Sequence, residues 1–230
     1  MLTGAGVSTA SGIPDFRGPH GIWRVVDPEK FDIDYFHKHP DEVWDIFIDL
    51  FLPAINVKPN PAHYALAELE KMGKLCAVVT QNVDMLHKAA GSRNVVELHG
   101  ALRDAVCTLC GARYPLSEAV KLRTSGAPRC PRCGGVLKPD VVFFGEPLPR
   151  DAVREAFMLA EMAEIFMAVG TSLAVYPANQ LPVVAKKRGA KLVIINSDET
   201  FYDLYADYIV MGRVEEVLPR LVEKVKGMLF

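Results

Sequence analysis

Short apolar runs that stop on small or polar residues recur along this chain. Leu2-Thr3 precedes Gly4-Ala5-Gly6, Leu75 to Val79 precedes Thr80-Gln81-Asn82-Val83-Asp84, Ile165 to Val169 precedes Gly170-Thr171-Ser172, and Lys191 to Ile195 precedes Asn196-Ser197. Segments with helical apolar spacing separate them, among them 62–72, 151–162, 177–188 and a final one from Val214. Strands that alternate with helices pair in parallel, and a parallel sheet needs helices on both faces. The pattern therefore predicts an α/β chain built on a doubly wound parallel sheet, with a further strand of the series from Val141 to Phe144. Ligands of such sheets gather outside the carboxyl ends of the strands, so four polar tips predict one shared site of dinucleotide size.

The first tip reads as a phosphate site. Gly4 and Gly6 let backbone N–H groups approach an anion closely, and Ser8 and Thr9 are placed to open a short helix towards it. The dehydrogenase-type fingerprint is incomplete, because Thr9 stands where a third glycine or alanine is wanted and no crossover helix precedes Asp27. An ordinary dehydrogenase is disfavoured. The segment Gly12-Ile13-Pro14-Asp15-Phe16-Arg17-Gly18 holds an acid, an aromatic and a base between glycines, and reads either as a lid or as a surface turn. At the second tip Gln81, Asn82 and Asp84 are ligand groups, unless Asn82 or Asp84 only caps the next helix. Of the six histidines, His63 and His87 fall in expected helices and His20, His37 and His39 in loops or helix ends. Only His99 ends a strand, beside Gly100, and it is the candidate general base, since imidazole titrates near neutrality. Val43, Trp44, Phe47, Leu50 and Phe51 share one face of a helix over 40–55, as core or as the wall of an apolar groove.

Four of the five cysteines form two pairs, Cys107-x-x-Cys110 and Cys130-x-x-Cys133, nineteen residues apart, each followed by a glycine suited to a tight knuckle. Four thiolates at that spacing predict a closed tetrahedral zinc site with a structural role, in a reducing and hence cytoplasmic compartment. Cys76 is left over inside an apolar strand and simply packs. With 26 Lys plus Arg against 28 Asp plus Glu, the net charge of −2 gives no reason to expect nucleic acid as a partner. No apolar run approaches a membrane span, and no signal-peptide pattern opens the chain. Phe143-Phe144-Gly145-Glu146 reads as an apolar edge able to pair with an extended peptide, or as a core strand that ends there.

Taken together, GAGVSTASGIPDFRG (4–18), PNPAH (59–63), TQNVDMLH (80–87), ELHG (97–100), the two cysteine pairs, PDVVFFGEPLP (139–149), GTSLAVYPA (170–178) and IIN (194–196) resemble the sirtuins, NAD-dependent protein lysine deacylases, in family order over essentially the whole chain. The resemblance implies a Rossmann-type domain over 1–27, 74–102 and 139–230, and a small domain made of a helical insertion (28–73) and a zinc ribbon (103–138). NAD and an acyl-lysine peptide would meet between them. Gly4, Ala5, Gly6, Ser8, Thr9, Asp15, Phe16 and Arg17 would hold phosphates and the nicotinamide ribose, and Gln81, Asn82 and Asp84 would shape the nicotinamide pocket. Gly170, Thr171, Ser172, Asn196, Ser197 and Val214 would take the remaining phosphate and the adenosine. His99, with Asn82, would be catalytic: the acyl oxygen attacks the ribose, nicotinamide leaves, and His99 draws a proton through the ribose hydroxyls, giving lysine and O-acyl-ADP-ribose. Val142, Phe143, Gly145, Glu146 and Val175 would line the peptide and acyl tunnel, with the helix of Trp44 and Phe47 as a further wall.

Two departures from the family pattern stand out. Val83 replaces the usual isoleucine of QNID, widening the nicotinamide pocket slightly, and Met1-Leu2-Thr3 leaves room for only the last residues of a strand before GAG, where relatives usually carry a helix and most of a strand, so either the natural start lies upstream or the central strand is unusually short. No arginine lies between Arg24 and Arg93, so the insertion offers no partner for an acidic acyl group, and acetyl or a longer fatty acyl group is expected. A mono-ADP-ribosyltransferase and an NAD-sensing binding module are the alternative functions.

Overall fold

The computed structural model describes residues 1–19, 21–55 and 57–229; His20, read above as a loop or helix-end residue, lies outside them. Its larger sheet contains six parallel strands, β1 (Leu2–Thr3), β2 (Val78–Thr80), β3 (Val95–Glu97), β7 (Ile165–Val169), β8 (Lys191–Asn196) and β9 (Tyr208–Met211), in the order β3-β2-β1-β7-β8-β9. The four strands whose tips attracted attention in the sequence are thus consecutive neighbours. β9 was not foreseen: all four of its residues are exposed, so it lacks the apolar burial signal of a central strand.

Successive side chains of a strand face opposite ways, and the core divides accordingly. Val79, Ala168 and Ile194 pack beneath α6 (Arg150–Glu161) and α7 (Leu181–Lys187). Their neighbours Val78, Val169 and Ile195 pack on the other face, beneath α3 (Pro61–Lys71) and α8 (Val214–Leu229). The sheet is doubly wound as expected. α3, grouped with the helical insertion in the sequence reading, instead packs on this sheet against α8, because Ala62, Ala65, Leu66 and Leu69 form its apolar stripe.

A second, antiparallel sheet has the order β5-β4-β6, from β4 (Gly100–Cys107), β5 (Arg113–Pro115) and β6 (Leu137–Val141). Here a correction is needed: the strand expected over Val141 to Phe144 does not join the parallel series. Strand β6 ends at Val141 and belongs to the small sheet, and Phe144 makes only an isolated bridge to Asp32. The apolar run alone carried no information about which sheet would receive it. The small sheet shares a core with α1 (Ile33–Lys38), α2 (Pro40–Ile55) and α5 (Leu116–Lys121), in which Phe36, Trp44, Phe47, Leu116 and Leu137 are almost fully buried. The Trp44 indole N–H donates to the Leu137 carbonyl at 2.7 Å, tying the helical insertion to the cysteine-bearing strands.

The hand-over between sheets takes place at one residue. Strand β3 ends at Glu97 and β4 begins at Gly100, with His99 between. Gly100 has φ +76°, and a Cβ there would sit 2.3 Å from the Asp140 carbonyl oxygen, so only glycine fits where β4 crosses β6. His99 is therefore held at the seam of the two modules.

Candidate active site

A cavity of about 1040 Å³ lies along this seam, lined from one side by the strand tips and from the other by the segment 141–148 and residues 13–19 and 22–24. Ligand pockets commonly occupy about 300–1,000 Å³. The volume is enough for a dinucleotide and a side chain together.

The first and third tips interlock. The Gly4 amide donates to the Val169 carbonyl at 3.2 Å, and the Gly6 amide to the Gly170 carbonyl at 2.9 Å. A Cβ on Gly4 would stand 2.7 Å from the Thr171 Cβ, and one on Gly170, at φ +57°, 2.6 Å from the Val7 nitrogen. The glycines are needed first for this turn-on-turn contact. The short helix expected to open at Ser8 and Thr9 is a single 3-10 turn, Thr9–Ser11, with Ser8 at its N-cap; it follows another over Ala5–Val7 and ends at Gly12, at φ +92°. Met85 and Leu173, the non-glycine residues with positive φ among those described, each sit shortly after a strand tip beside the cavity.

Beneath the first turn runs a buried polar network whose proton positions follow from its donors. The Asn60 amide donates to His63 Nδ1 at 3.2 Å, so the ring proton is on Nε2, which points to Ser8 Oγ at 3.4 Å. Asn82 Nδ2 donates to the same oxygen at 3.1 Å and to the Gly4 carbonyl at 3.1 Å. Ser8 in turn donates to Asp84 Oδ2 at 2.6 Å, while Asp84 Oδ1 accepts at 2.9 Å from the amide of Leu86, the first residue of α4 (Leu86–Ala89). Asp84 thus lines the cavity and also accepts from the first turn of α4. Burial raises the Asp84 carboxyl above its usual range against the lowering effect of the Ser8 bond. Asn60 caps α3, and its Nδ2 also donates to the Val7 carbonyl and Ser11 Oγ, a link the sequence does not reveal. The signal was available in Asn60-Pro61-Ala62-His63, a capping box with histidine as the reciprocal partner.

His87 lies 5.0 Å from His63, ring to ring, with its Nε2 3.0 Å from Thr3 Oγ1. Burial lowers His63 to about 4 and His87 to about 3. The unfolded chain, with histidines near 6.5, then binds protons that the folded chain refuses, so stability falls as pH drops. Acidification from about pH 6.5 to 4 is expected to remove roughly 2–5 kcal/mol, read as a falling urea midpoint. A midpoint independent of pH in that window would contradict the neutral buried pair.

His99 Nδ1 stands 2.9 Å from the Gln81 carbonyl oxygen, and Gln81 Nε2 donates to Thr171 Oγ1 at 2.9 Å. An oxygen acceptor fixes the proton on Nδ1 and leaves Nε2 as the basic nitrogen. Burial lowers the imidazole pKa, outweighing the bond to Gln81, so the ring is in its basic form at neutral pH. The apolar wall is aromatic: Trp23 lies 5.0 Å from Phe16, 5.9 Å from Phe31 and 6.1 Å from Phe144, ring to ring. Trp23 and Phe31 were not identified from sequence as lining residues, since isolated aromatics between longer elements carry no period, whereas Leu50 and Phe51 of the 40–55 helix do line the cavity. Phe47 lines the cavity, whereas Trp44 is core and does not.

Of the residues singled out in the sequence, Gly4, Ala5, Gly6, Ser8, Asp15, Phe16, Arg17, Gln81, Asn82, Asp84, His99, Gly170, Thr171, Ser172, Asn196 and Ser197 all line this cavity, as do Val142, Phe143, Gly145, Glu146 and Val175. Thr9 and Val214 do not. Thr9 is exposed with its hydroxyl on the Gly6 carbonyl, and Val214, the first residue of α8, is buried with Leu218 in the core between that helix and the sheet. The Asp15 carboxylate accepts from the Gly18 amide at 2.7 Å and shapes its own loop. Asp198 and Glu199, beyond the fourth tip, also line the cavity and were missed. The Phe144 edge is partly used already: its amide donates to the Phe31 carbonyl, and its carbonyl accepts from the Ile33 amide, both at 2.9 Å.

The four paired cysteines bring their sulfurs within 4.8 Å of one another. Zn–S bonds of about 2.3 Å in a tetrahedron need sulfurs about 3.8 Å apart, and Cys110 and Cys130 are 3.8 Å apart, Cys107 and Cys133 3.4 Å. Gly111 and Gly134, at φ +70° and +77°, make the expected knuckles, their amides donating to the Cys107 and Cys130 carbonyls. The site fits one zinc ion. None of the four cysteines lines the cavity, which suits a structural metal.

The Sir2 family profile matches residues 4–177. NAD-dependent protein deacetylase 1 of Pyrobaculum aerophilum is 77% identical over 229 residues, covering 100% of this chain and 90% of that protein. The NAD-dependent protein deacetylase of Sulfolobus acidocaldarius is 50% identical over 99% of this chain and 90% of its own. A Sir2 structure with a deacetylated p53 peptide and 3′-O-acetyl ADP ribose superposes with a TM-score of 0.95 at 44% identity, over 97% of this chain and 91% of that one. A second, with p53 peptide and NAD+, gives 0.92 at 43% identity over 98% and 92%. Identity at this level, sustained across both the parallel sheet and the cysteine module, is inherited, and the chain belongs to the Sir2 family.

Proposed function

We propose that this protein removes acetyl groups from lysine side chains of proteins in an NAD-dependent reaction. The observation that carries the reading is the convergence of four strand tips and His99, its Nε2 left basic by the Gln81 carbonyl, on one cavity. When bound, NAD supplies the leaving nicotinamide and the ribose that takes up the acetyl group. The interlocked turns at Gly4 to Gly6 and Gly170 to Ser172 hold the phosphates, with Phe16 and Arg17 closing over them and Asn196 and Ser197 taking the adenosine end. Gln81, Asn82 and Asp84 form the nicotinamide side. Asn82 is locked by the Gly4 carbonyl and Ser8, so it meets the cofactor already oriented.

His99 accepts the proton on Nε2, at a seam where burial keeps it neutral and ready to do so. The substrate lysine enters between Val142, Phe143 and Val175, whose apolar surfaces exclude water, while the Gly145 main chain pairs with the peptide. No helix among the described residues is long and apolar enough to cross a membrane. Zinc thiolates unpaired as disulfides suit a cytoplasmic setting.

Incubating the protein with an acetyl-lysine peptide, with and without NAD, tests this. Loss of acetyl that requires NAD, with an equal amount of O-acetyl-ADP-ribose, is the expected result. Labelled ADP-ribose attached to a protein, without deacetylation, would point instead to a transferase, and neither product would refute the enzyme reading.

A further inference from the structure

Lys138, in β6, is 9% exposed and does not line the cavity. Its Nζ donates to the Val141 carbonyl at 2.6 Å and the Pro139 carbonyl at 3.3 Å, and pairs with Glu146 Oε2 at 2.8 Å. The ammonium also sits 4.2 Å from the centre of the Phe143 ring. Glu146 Oε2 accepts a second bond, from the Phe143 amide at 2.7 Å. One ion pair, buried at Lys138 and half-buried at Glu146, thereby holds the start, middle and end of the segment 139–146. On its outer side the segment is held by the Phe144 bonds to Phe31 and Ile33. Between these two restraints lies Gly145 at φ +83°, whose amide and carbonyl have no partner among the described residues.

An ion pair drawn largely out of water is a weak source of stability, because apolar residues of similar volume often do as well or better. This one shapes a loop whose other side faces the cavity. Glu146, read from sequence as a substrate contact, turns its carboxylate inward to Lys138 and the Phe143 amide.

We propose that Lys138 is a positioning residue for the acetylated peptide: acting through Glu146, it fixes the 141–146 segment so that the Phe143 ring and the Gly145 main chain meet the acyl-lysine in register. The proposal rests on the deacetylase reading. The cofactor is held by strand tips on the opposite wall, so loss of Lys138 falls on the peptide and spares NAD.

Steady-state kinetics on the wild type, Lys138→Met, Lys138→Arg and Glu146→Gln provide the test, with zinc content and circular dichroism as fold controls. Lys138→Met is expected to raise the peptide KM about ten- to a hundredfold, through displacement of the segment, with the NAD KM within about twofold of wild type. Lys138→Arg, which keeps charge and donors, is expected to recover most of the loss. A peptide KM unchanged in Lys138→Met, or equal rises in both KM values, overturns the proposal. If Lys138→Met fails the fold controls, the same ratio of KM values is read on Glu146→Gln, which keeps an acceptor for the Phe143 amide but removes the counter-charge. If the wild type itself shows no turnover, the deacetylase reading fails separately. Anisotropy of a labelled acetyl-lysine peptide then decides on Lys138: weaker binding to Lys138→Met supports the positioning role, and equal binding refutes it.

Discussion

His99→Ala is expected to lower deacetylation by a factor of about 10²–10⁴, the usual contribution of a positioned general base. The imidazole is the histidine at the seam of the two sheets, its Nδ1 facing the Gln81 carbonyl and its other nitrogen left to take a proton. Substrate binding should change far less, because the strand tips and the aromatic wall remain. Burial lowers the His99 pKa, so the acid limb of kcat/KM is expected below pH 6.5, the ordinary imidazole value. Activity is retained above that limb and lost as pH falls through it. Turnover followed by peptide mass across pH, on wild type and variant, checks both statements; a variant of near wild-type rate would remove His99 from the chemistry.

Zinc removal is expected to have the other large effect, although no cysteine touches the cavity. A four-thiolate zinc site contributes on the order of 10 kcal/mol to the folding of its module. Here that module is the sheet β5-β4-β6, whose β4 starts at Gly100, next to His99, and whose β6 runs directly into Val142 and Phe143. The Val142 amide also donates to the His99 carbonyl at 2.8 Å. Strong chelation, or Cys130→Ser, should therefore abolish activity by releasing the frame around the base. Trp44, buried against the Leu137 carbonyl, reports the event: its emission should shift to the red in a Trp23→Phe background as zinc leaves. Full activity in a protein shown to be metal-free would contradict this linkage. Tyr114, whose hydroxyl lies 3.2 Å from Cys130 Sγ, holds that thiol below the ordinary range and so favours the thiolate that zinc needs.

The parallel sheet and the zinc knuckles were legible because each has a local signature. Apolar runs ending on Gly4, Gln81, Gly170 and Asn196 mark strand tips without reference to anything distant, and cysteine spacing marks a metal site in the same way. What the sequence hid depends on pairings between remote residues. Nothing local in Val141 to Phe144 says that β6 joins β4 in a different sheet, or that Phe144 meets Asp32. The Ser8, Asn60 and His63 network joins residues about fifty positions apart, so each looked like an ordinary turn, cap or helix residue. Strand β9 was invisible because its exposed Tyr208 to Met211 is an edge rather than a core strand. Val214, assigned to the adenosine by family likeness alone, is packed in the core with Leu218 and does not line the cavity.

The position of β1 has a consequence for the order of events during synthesis. Leu2 and Thr3 are paired on one side with Val79 and Thr80, and on the other with Ala168 and Val169. The strand at the centre of the sheet thus leaves the ribosome before both of its neighbours, and the second neighbour emerges long after the first. Pairings so distant in sequence form late and slowly. Until β7 arrives, the apolar edge of the nascent β1–β2 pair stays open to other chains, which makes the half-translated protein a natural client for chaperones.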